Sequence, residues 1–370
     1  MKKMNNLAII GASYLQLPLI QKAKEMGYVT HVFAWAANDV GEKEADYFYP
    51  ISIVEKDEIL EQCRAIGVAG ICSIASDLAA VTVNYVAEKL GLCGNSSICV
   101  KKSTNKYYMR KAFTEHGDPS PQSRLICEGM KGEDLNLQFP VIVKPTDRSG
   151  SRGVCKLESY DNLQSAIEQA QKESFEKKAV VEEFVEGKEY SVEYLSYKGE
   201  HHFLAVTEKF TTNAPHYIET GHMEPADLQE NVIINIRKIV EHALDSLDIE
   251  NGASHTEIKI DDRGRIYIIE IGARMGGDCI GSDLVYLSTG IDFVKAVIQV
   301  ACGLKPDLSV TRKPIAVKIV YILNEDDKQK FEKIQRDAPE KIVKIVDYHP
   351  EMIGKVMDSS NRAGCYIVRV

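Results

Sequence analysis

The sequence lacks the features that zinc-binding, disulfide-rich, membrane-spanning and nucleic-acid-binding proteins require. Its nine cysteines include no Cys-x-x-Cys pair, which argues against a zinc site or a disulfide framework. No stretch approaches the roughly 20 apolar residues of a membrane helix, and the first apolar run, Leu7 to Ile10, is too short for a signal peptide. The net charge of −9 gives nucleic-acid binding no electrostatic support. We therefore expect a cytoplasmic protein that binds neither membranes nor nucleic acid.

Two common nucleotide-binding fingerprints are also missing. Gly11 follows the first apolar run, but it does not begin a full Gly-x-Gly-x-x-Gly, and Trp35 rather than an acidic residue follows the second strand. A nicotinamide-dependent oxidoreductase is therefore disfavoured. The glycine-rich segment around Gly150 lacks the Gly-Lys-Ser/Thr of a Walker A loop.

The N-terminal part of the chain alternates predicted strands and helices. Strands are predicted at 7–10, 29–33, from Ile51 and at 70–74, and helices at 17–26, 57–66 and from Ser76-Asp77 to Gly91. This alternation predicts a Rossmann-like parallel sheet. A length of 370 residues favours two to three domains, and 44% hydrophobic with 27% charged residues is typical of a globular protein.

The remaining segments are predicted from their periodicity and turn residues. Helices are expected at 104–116, 163–174, 228–247, 291–301 and 327–336. Strands are expected at 139–145, 315–322, 342–346 and 366–370, and a strand, a short linker and a second strand within 179–193. A polar loop is expected at 207–225.

A predicted strand ends in Lys144 and leads into a loop rich in small residues, Ser149 to Gly153. Glycine and serine allow consecutive backbone N–H groups to point into one concavity, which favours an anion. With a lysine beside it, this loop predicts a phosphate site. The alternative is a plain Gly/Ser turn between two strands.

A predicted hairpin carries two unusual acids. Its strands run from His255 to Ile260 and from Arg265 to Arg274, around a turn that contains Gly264. Glu270 interrupts an apolar run, and a carboxylate buried there is costly without a partner. Glu257 on the neighbouring strand is the second acid, and two such carboxylates can share Mg²⁺ with a phosphate. The alternative is an edge hairpin with solvated charges.

These motifs, in this order, resemble the ATP-grasp superfamily over residues 7 to 303. The resemblance rests on Asn105-Lys106, Lys144-Pro145 with its glycine loop, the run Glu182 to Glu189, and the two-glutamate hairpin that ends in Arg274. It implies an α/β protein that is α+β in its ATP-binding part. The implied domains are a Rossmann-like domain at 1–102, linker helices with a small mobile lid at 103–186, and a C-terminal domain on an antiparallel sheet at 187–370, with a small α/β appendix from about 305.

The resemblance also implies an ATP site. Lys106 and Lys144 would contact the α- and β-phosphates, and the loop would close over the γ-phosphate. Adenine and ribose would be held by the segment from Glu182 to Glu189. The implied ATP-binding residues are Lys106, Lys144, Ser149, Gly150, Ser151, Gly153, Glu182, Glu183, Phe184, Val185 and Glu189.

By the same resemblance, Glu257 and Glu270 would hold Mg²⁺, or Mn²⁺ in its place. The family often has Glu-x-Asn at this point, whereas Gly272 occupies the Asn position here. One metal ligand is therefore missing, which puts a second metal ion in doubt.

Within the superfamily, the sequence is most similar to bacterial L-amino acid ligases, which form dipeptides. The similarity lies in Glu219 to His222 and in the run Glu270 to Gly277. It implies that Glu219 receives a substrate amino group and that Arg274, His222 and Lys144 are catalytic. The implied substrate-binding residues are Glu219, His222, Arg274, Gly276 and Gly277. The expected partners are a small carboxylate, an amine and a second subunit in a homodimer.

Two other functions on the same fold stay open at this point. One is an enzyme that acts on a different carboxylate, such as a carboxylase or a purine- or cofactor-pathway ligase. The other is an ATP-binding regulatory protein without turnover. Lys106, Lys144, Glu257, Glu270 and Arg274 argue for turnover, whereas Gly272 keeps the regulatory alternative open.

Overall fold

The strands of the chain form three β-sheets. A computed structural model describes residues 5–127, 129–130, 138–150, 152–212, 218–356 and 362–370. Within these ranges the sheets have four, four and eight strands. None of the helices in these ranges has the length and apolar character needed to cross a membrane.

The first sheet is parallel, with the order β3-β2-β1-β4, which confirms the Rossmann-like prediction. The predicted strand from Ile51 is wrong, because Pro50 cannot donate to a strand ladder and the strand ends before it. The elements are β1 (Asn6–Ile10), α1 (Leu17–Glu25), β2 (Val29–Phe33), α2 (Val40–Glu44), β3 (Tyr47–Tyr49), α3 (Lys56–Ile66), β4 (Gly70–Cys72) and α4 (Asp77–Leu90).

The predicted helix at 104–116 is instead the second of two helices, α5 (Ser97–Thr104) and α6 (Lys106–His116). Asn105 separates them in an extended conformation, and its side chain accepts hydrogen bonds from the amides of Tyr107 and Tyr108. This N-cap satisfies amides that a continuous helix would have used internally. Lys106 is therefore the first residue of α6.

The second sheet is antiparallel, with the order β5-β8-β6-β7, and one helix packs on it. Its core consists of short aliphatic residues from the strands and from the apolar stripe of the helix, such as Val143, Val181 and Ile167. The elements are β5 (Ser123–Ile126), β6 (Val141–Pro145), β7 (Cys155–Leu157), α7 (Leu163–Glu173) and β8 (Ala179–Glu183).

The third sheet is antiparallel, with the order β13-β12-β9-β10-β11-β14-β16-β15. The polar loop predicted at 207–225 is wrong over much of its length, because its two ends are paired strands. The strands are β9 (Lys188–Tyr197), β10 (Glu200–Thr211), β11 (Glu219–Glu224), β12 (Gly252–Ile260), β13 (Ile266–Gly272), β14 (Val317–Tyr321), β15 (Ile342–Tyr348) and β16 (Gly364–Arg369). The helices are α8 (Glu230–Ser246), α9 (Val285–Thr289), α10 (Phe293–Ala301) and α11 (Glu325–Asp337).

The segment beyond residue 305 extends this third sheet. β14 pairs with β11, and β16 and β15 follow it outward. We retain the division at 1–102, 103–186 and 187–370 as a proposal, based on how the strands are distributed among the three sheets.

The two faces of β9 differ, because side chains alternate along a strand. Tyr190, Val192 and Tyr194 pack against α8 through Ile236 and Val240. On the opposite face, Leu195 joins an apolar core with α10, whereas Glu189 lies towards the other end of the strand and lines a cavity.

Candidate active site

A cavity of about 260 Å³ is lined by residues from the second and third sheets and from the first residues of α4 and α6. It brings together most of the residues that the sequence predicts for an ATP, metal and substrate site. Those that line it are Lys106, Lys144, Ser149, Gly150, Glu182, Glu183, Phe184, Val185, Glu189, Glu219, Glu257, Glu270 and Arg274.

The two predicted phosphate-binding lysines are buried, each with about 5% of its surface exposed. Lys106 Nζ lies 2.9 Å from Glu270 Oε1 and donates to the backbone oxygen of Arg148 at 2.7 Å. Lys144 Nζ lies 2.6 Å from Glu182 Oε2. Burial lowers the pKa of Lys144 against the opposing attraction of Glu182. Both ammonium groups are held within the cavity by fixed partners.

Glu182 is the centre of a buried ion-pair group. Besides Lys144, Arg110 contacts it, with Nε 3.0 Å from Oε1 and an Nη2 hydrogen bond of 3.1 Å to Oε2. Burial would raise the pKa of the Glu182 carboxyl, but the charges of Arg110 and Lys144 outweigh burial and hold it below its usual range. The structure thus places the carboxylate of Glu182, predicted to hold adenine, against two cations. The group of three retains a net positive charge, which suits an anion.

Glu257 and Glu270, the predicted metal ligands, are direct partners across the β12–β13 pair. Their side chains lie on the same face of the sheet, and Lys209 Nζ is 2.7 Å from Glu257 Oε1. The charge of Lys209 holds the pKa of Glu257 well below its usual range, so this carboxylate is ionised at neutral pH. Ionised oxygen donors are the ligands that Mg²⁺ prefers.

A metal would need ligands beyond these two side chains. Across the described ranges, no group of three His, Cys, Asp or Glu side chains is arranged to hold a metal ion. Two carboxylates that share a cavity with two buried lysines fit a metal that is completed by phosphate oxygens and water.

Arg274 forms a two-pronged ion pair with Asp77 at the start of α4. Its Nε lies 2.9 Å from Asp77 Oδ1 and its Nη2 3.2 Å from Oδ2. A Cβ atom on Gly272 would come within 3.0 Å of Asp77 Oδ1 and 3.2 Å of Arg274 Cζ. The space that an asparagine at 272 would need is therefore taken by this ion pair, which accounts for the departure from Glu-x-Asn.

The linker between β8 and β9 forms the apolar end of the cavity. Lys156 Nζ and Lys259 Nζ lie over the ring of Phe184, at 4.2 and 4.5 Å from its centroid. Glu189 Oε1 lies 3.1 Å from Lys259 Nζ, and Val185 also lines the cavity. An apolar wall next to a carboxylate is suited to a flat base with a sugar attached.

A β-bulge places Glu219 and His222 on the same face of the third sheet. Lys209 of β10 pairs with His222 of β11, and Thr211 pairs with Glu219, because the register shifts by one residue between Phe210 and Thr211. Glu219 lines the cavity, whereas His222 is buried behind it, with its ring against Tyr321 at 5.6 Å between centroids. Burial lowers the pKa of His222, which keeps the imidazole neutral at neutral pH.

Comparison with known protein families decides the fold. Residues 137–283 match the family described as the ATP-grasp domain. This stretch of the chain corresponds to an ATP-grasp domain. The predicted ATP-grasp fold is thereby confirmed, and the match spans the glycine loop, both metal-ligand candidates and Arg274.

Individual proteins that are similar to this chain agree with that fold. The alanine–anticapsin ligase of Bacillus subtilis is 25% identical over 301 residues, which cover 71% of this chain and 63%, less than two thirds, of that protein. The solved L-amino acid ligase of Bacillus licheniformis superposes with a TM-score of 0.81 at 23% identity, covering 100% of this chain and 94% of that one. The biotin carboxylase domain dimer of the Hydrogenobacter thermophilus 2-oxoglutarate carboxylase, in complex with MgADP, ADP and bicarbonate, gives a TM-score of 0.77 at 18% identity and covers 99% and 86%.

Four predicted residues of the ATP-grasp domain do not line the cavity. His222 lies behind it, and a Cβ on Gly153 would meet Glu173 and Pro145 within 3.1 Å. The amide of Gly276 donates to Glu193 Oε2 at 3.3 Å, and Gly277 lies near Ala75. Ser151 lies outside the described residues.

Sequence reasoning missed several residues of the site. His255 Nδ1 lies 2.5 Å from Glu193 Oε1, and its Nε2 lies 3.8 Å from Glu257. Burial would lower the pKa of His255, but Glu193 outweighs it and raises the pKa. The sequence did contain a signal for His255 and Glu193. Residues separated by an even number along a strand lie on the same face, and His255 precedes Glu257 by two residues while Glu193 follows Glu189 by four. No local signal marked Asp77, Arg110 or Lys209.

Proposed function

We propose that this protein is an ATP- and Mg²⁺-dependent carboxylate–amine ligase that acts on amino acids and forms an amide or peptide bond. The observation that carries the proposal is the set of residues that line the cavity of about 260 Å³. The cavity is lined by two buried lysines and by two carboxylates on adjacent strands, each of which pairs with a lysine. It is also lined by Arg274, which Asp77 holds in place. Phosphoryl transfer requires this combination of cations and metal ligands.

The residues of the cavity fit MgATP. Glu257 and Glu270 would hold the metal ion, which would neutralise charge on the transferring phosphoryl group. Lys106 and Lys144 would bind the phosphates, and Phe184 with Val185 would contact the base. The second sheet with its glycine loop would cover the phosphates and exclude water from the reaction.

The proposed reaction has two steps. An oxygen of the substrate carboxylate forms a bond to the γ-phosphorus while the bond to ADP breaks, which gives an acylphosphate. The nitrogen of the amine then attacks the carbonyl carbon and loses a proton, and phosphate leaves with one oxygen of the original carboxylate. Arg274, held in place by Asp77, would stabilise the oxyanion that forms at the carbonyl.

Amino acids are the proposed substrates for two reasons. The relatives named above include an alanine–anticapsin ligase and an L-amino acid ligase. Glu219 also places a carboxylate at the cavity wall, where it would receive a substrate ammonium group. Location in the cytoplasm and assembly as a homodimer are part of the same proposal.

A screen of the twenty amino acids, singly and in pairs, tests this function. With MgATP, at least one pair should release ADP and phosphate faster than the control without amino acid. Release only with a carboxylate that is not an amino acid would favour a ligase of another pathway. ATP binding with no release under any condition would favour the regulatory alternative.

An Arg274→Ala variant serves as the control for the screen. It should bind ATP with nearly unchanged affinity, because Arg274 pairs with Asp77 and not with the phosphate-binding lysines. The loss of one oxyanion donor typically costs about 2.7–4 kcal/mol, so turnover should fall on the order of a hundred- to a thousand-fold. Unchanged turnover would refute the role of Arg274.

A further inference from the structure

A second group of charged side chains lies behind Glu219, centred on Arg362. Arg362 lies two residues before the start of β16, and about 7% of its side chain is exposed. Its Nη1 lies 3.1 Å from Asp278 Oδ1, and its Nη2 lies 3.2 Å from Asp278 Oδ2 and 2.9 Å from Glu219 Oε2. The guanidinium carbon lies 3.7 Å from the centre of the Tyr321 ring.

These contacts fix the plane of the guanidinium group. The paired hydrogen bonds to Asp278 define its orientation within the plane, and the ring of Tyr321 supports one face. The same Nη2 that contacts Asp278 donates to Glu219, a residue of the cavity wall. Arg362, which lies next to β16, is thus connected to the cavity through the carboxylate of Glu219.

The group contains charges of both signs. Two carboxylates, Glu219 and Asp278, contact the guanidinium of Arg362. Lys209 is a further cation near Glu219, since burial would lower its pKa but Glu257 and then Glu219 outweigh burial and raise the pKa. His222 is buried beside Asp278, with Nε2 3.6 Å from Asp278 Oδ2, and burial lowers the pKa of this histidine. A carboxylate held at the cavity wall by such contacts suits a cationic ligand group.

A purely structural explanation accounts poorly for this arrangement. β16 is already anchored by ladder pairing on both sides and by the buried Tyr366 and Ile367. Buried ion pairs contribute little to stability compared with apolar residues of similar size, because desolvation of the charges is costly. A role for Glu219 in substrate binding explains why Arg362 and Asp278 are placed behind it.

We propose that Arg362 is a positioning residue that orients Glu219 towards the ammonium group of the amino-acid substrate. Its paired hydrogen bonds to Asp278 hold the guanidinium in place, so that the Glu219 carboxylate is presented to a cationic amine. This inference rests on the proposed ligase function. It adds a residue from the segment beyond 305 to the determinants of substrate choice.

Kinetics of an Arg362→Met variant test the proposal. The KM for the preferred amino acid should rise on the order of ten-fold or more, which corresponds to about 1.4 kcal/mol, while the dissociation constant for MgATP stays within about two-fold. Arg362→Lys keeps the charge without the fork and should lie between the variant and the wild type. An Arg336→Met variant is the matched control, since Arg336 is an exposed arginine that pairs with Asp337 on α11.

A double-mutant cycle with Glu219→Gln separates positioning from general destabilisation. If Arg362 acts through Glu219, adding Arg362→Met to Glu219→Gln should raise KM little further, because the two effects share one pathway. Fully additive effects, or an unchanged KM in the folded Arg362 variants, would overturn the proposal. If Arg362→Met does not fold, Arg362→Lys decides by the same criterion.

The wild-type enzyme distinguishes failure of the ligase proposal from failure of the role proposed for Arg362. Failure of the wild type to release phosphate with any amino acid would overturn the ligase proposal and this inference with it. Amino-acid-dependent release by the wild type, with the same KM in the Arg362 variants, would overturn the role of Arg362 alone.

Discussion

Gly272 ends β13 opposite Asp77 at the start of α4, and its missing side chain leaves room for the Asp77–Arg274 ion pair. The closest approach of a Cβ atom there would be to the Asp77 carboxylate, at 3.0 Å. A carboxamide at this position would have to displace one partner of the pair. The glycine therefore sets the position of Arg274 rather than only removing a metal ligand.

The Gly272→Asn variant tests this role at the scale of one residue. Displacement of Arg274 should lower kcat on the order of a hundred-fold or more, with a smaller change in the dissociation constant for MgATP. Gly199→Asn is the control, because Gly199 lies in the turn between β9 and β10 with open space around it, and asparagine tolerates its left-handed conformation. A Gly272→Asn enzyme with the kcat of the wild type would contradict the steric argument.

Glu224 predicts a pH dependence of stability. Burial raises the pKa of its carboxyl to about 8, against the opposing effect of hydrogen bonds from Thr207 and Ser288 at 2.6 and 2.5 Å. Between the ordinary value of 4.5 and about 8, the folded protein holds a proton that the unfolded chain has lost. The contribution to stability is thus complete below about 4.5 and is lost as the pH rises to about 8.

The measurement is the Tm of the wild type and of Glu224→Gln across this pH range. The glutamine side chain stays neutral, so the decline of Tm between the two limits should be smaller in the variant than in the wild type. Parallel declines in the two proteins would show that Glu224 does not hold this proton.

At the scale of elements, the hairpin of β12 and β13 was the most predictable part of the site. The period of two in β12 and the isolated acid in β13 were sufficient to predict two facing carboxylates. The sequence did not predict the bulge between β10 and β11, which aligns Glu219 with His222 despite their spacing of three residues. A bulge depends on the register of the partner strand, and no single segment encodes it.

The linker between β8 and β9 depends on Gly187. This residue has a φ of 150°, and a Cβ atom there would overlap the backbone oxygen of Ile260 at the end of β12. The close approach fixes the linker, with Val185 and Phe184, against the hairpin that carries the proposed metal ligands.

A Gly187→Ala variant should therefore weaken MgATP binding as well as stability. Overpacking of this kind costs about 1–3 kcal/mol, and part of the cost should appear as a higher dissociation constant for MgATP. In Gly199→Ala, the matched control, a left-handed glycine is replaced without a clash, so Tm should fall while nucleotide affinity is retained. Equal effects of both variants on affinity would contradict the proposed role of the linker.

At the scale of the whole molecule, the site exists only where the second and third sheets meet the starts of α4 and α6. The order of motifs along the chain predicted the fold and the lysines, carboxylates and arginine of the cavity. It could not predict Asp77 and Arg362, which lie 197 and 143 residues from the partners that they hold, Arg274 and Glu219. Such contacts are determined by how sheets pack, and a local pattern carries no information about them.

The fate of the carboxylate oxygen tests the central claim most directly. The preferred amino acid, labelled in its carboxylate with the heavy oxygen isotope, is incubated with MgATP, the amine partner and the enzyme, and the released phosphate is analysed by mass spectrometry. An acylphosphate route transfers one carboxylate oxygen to each phosphate, so the account predicts one heavy oxygen atom per phosphate formed. Phosphate that carries no label, released in step with product, would contradict it.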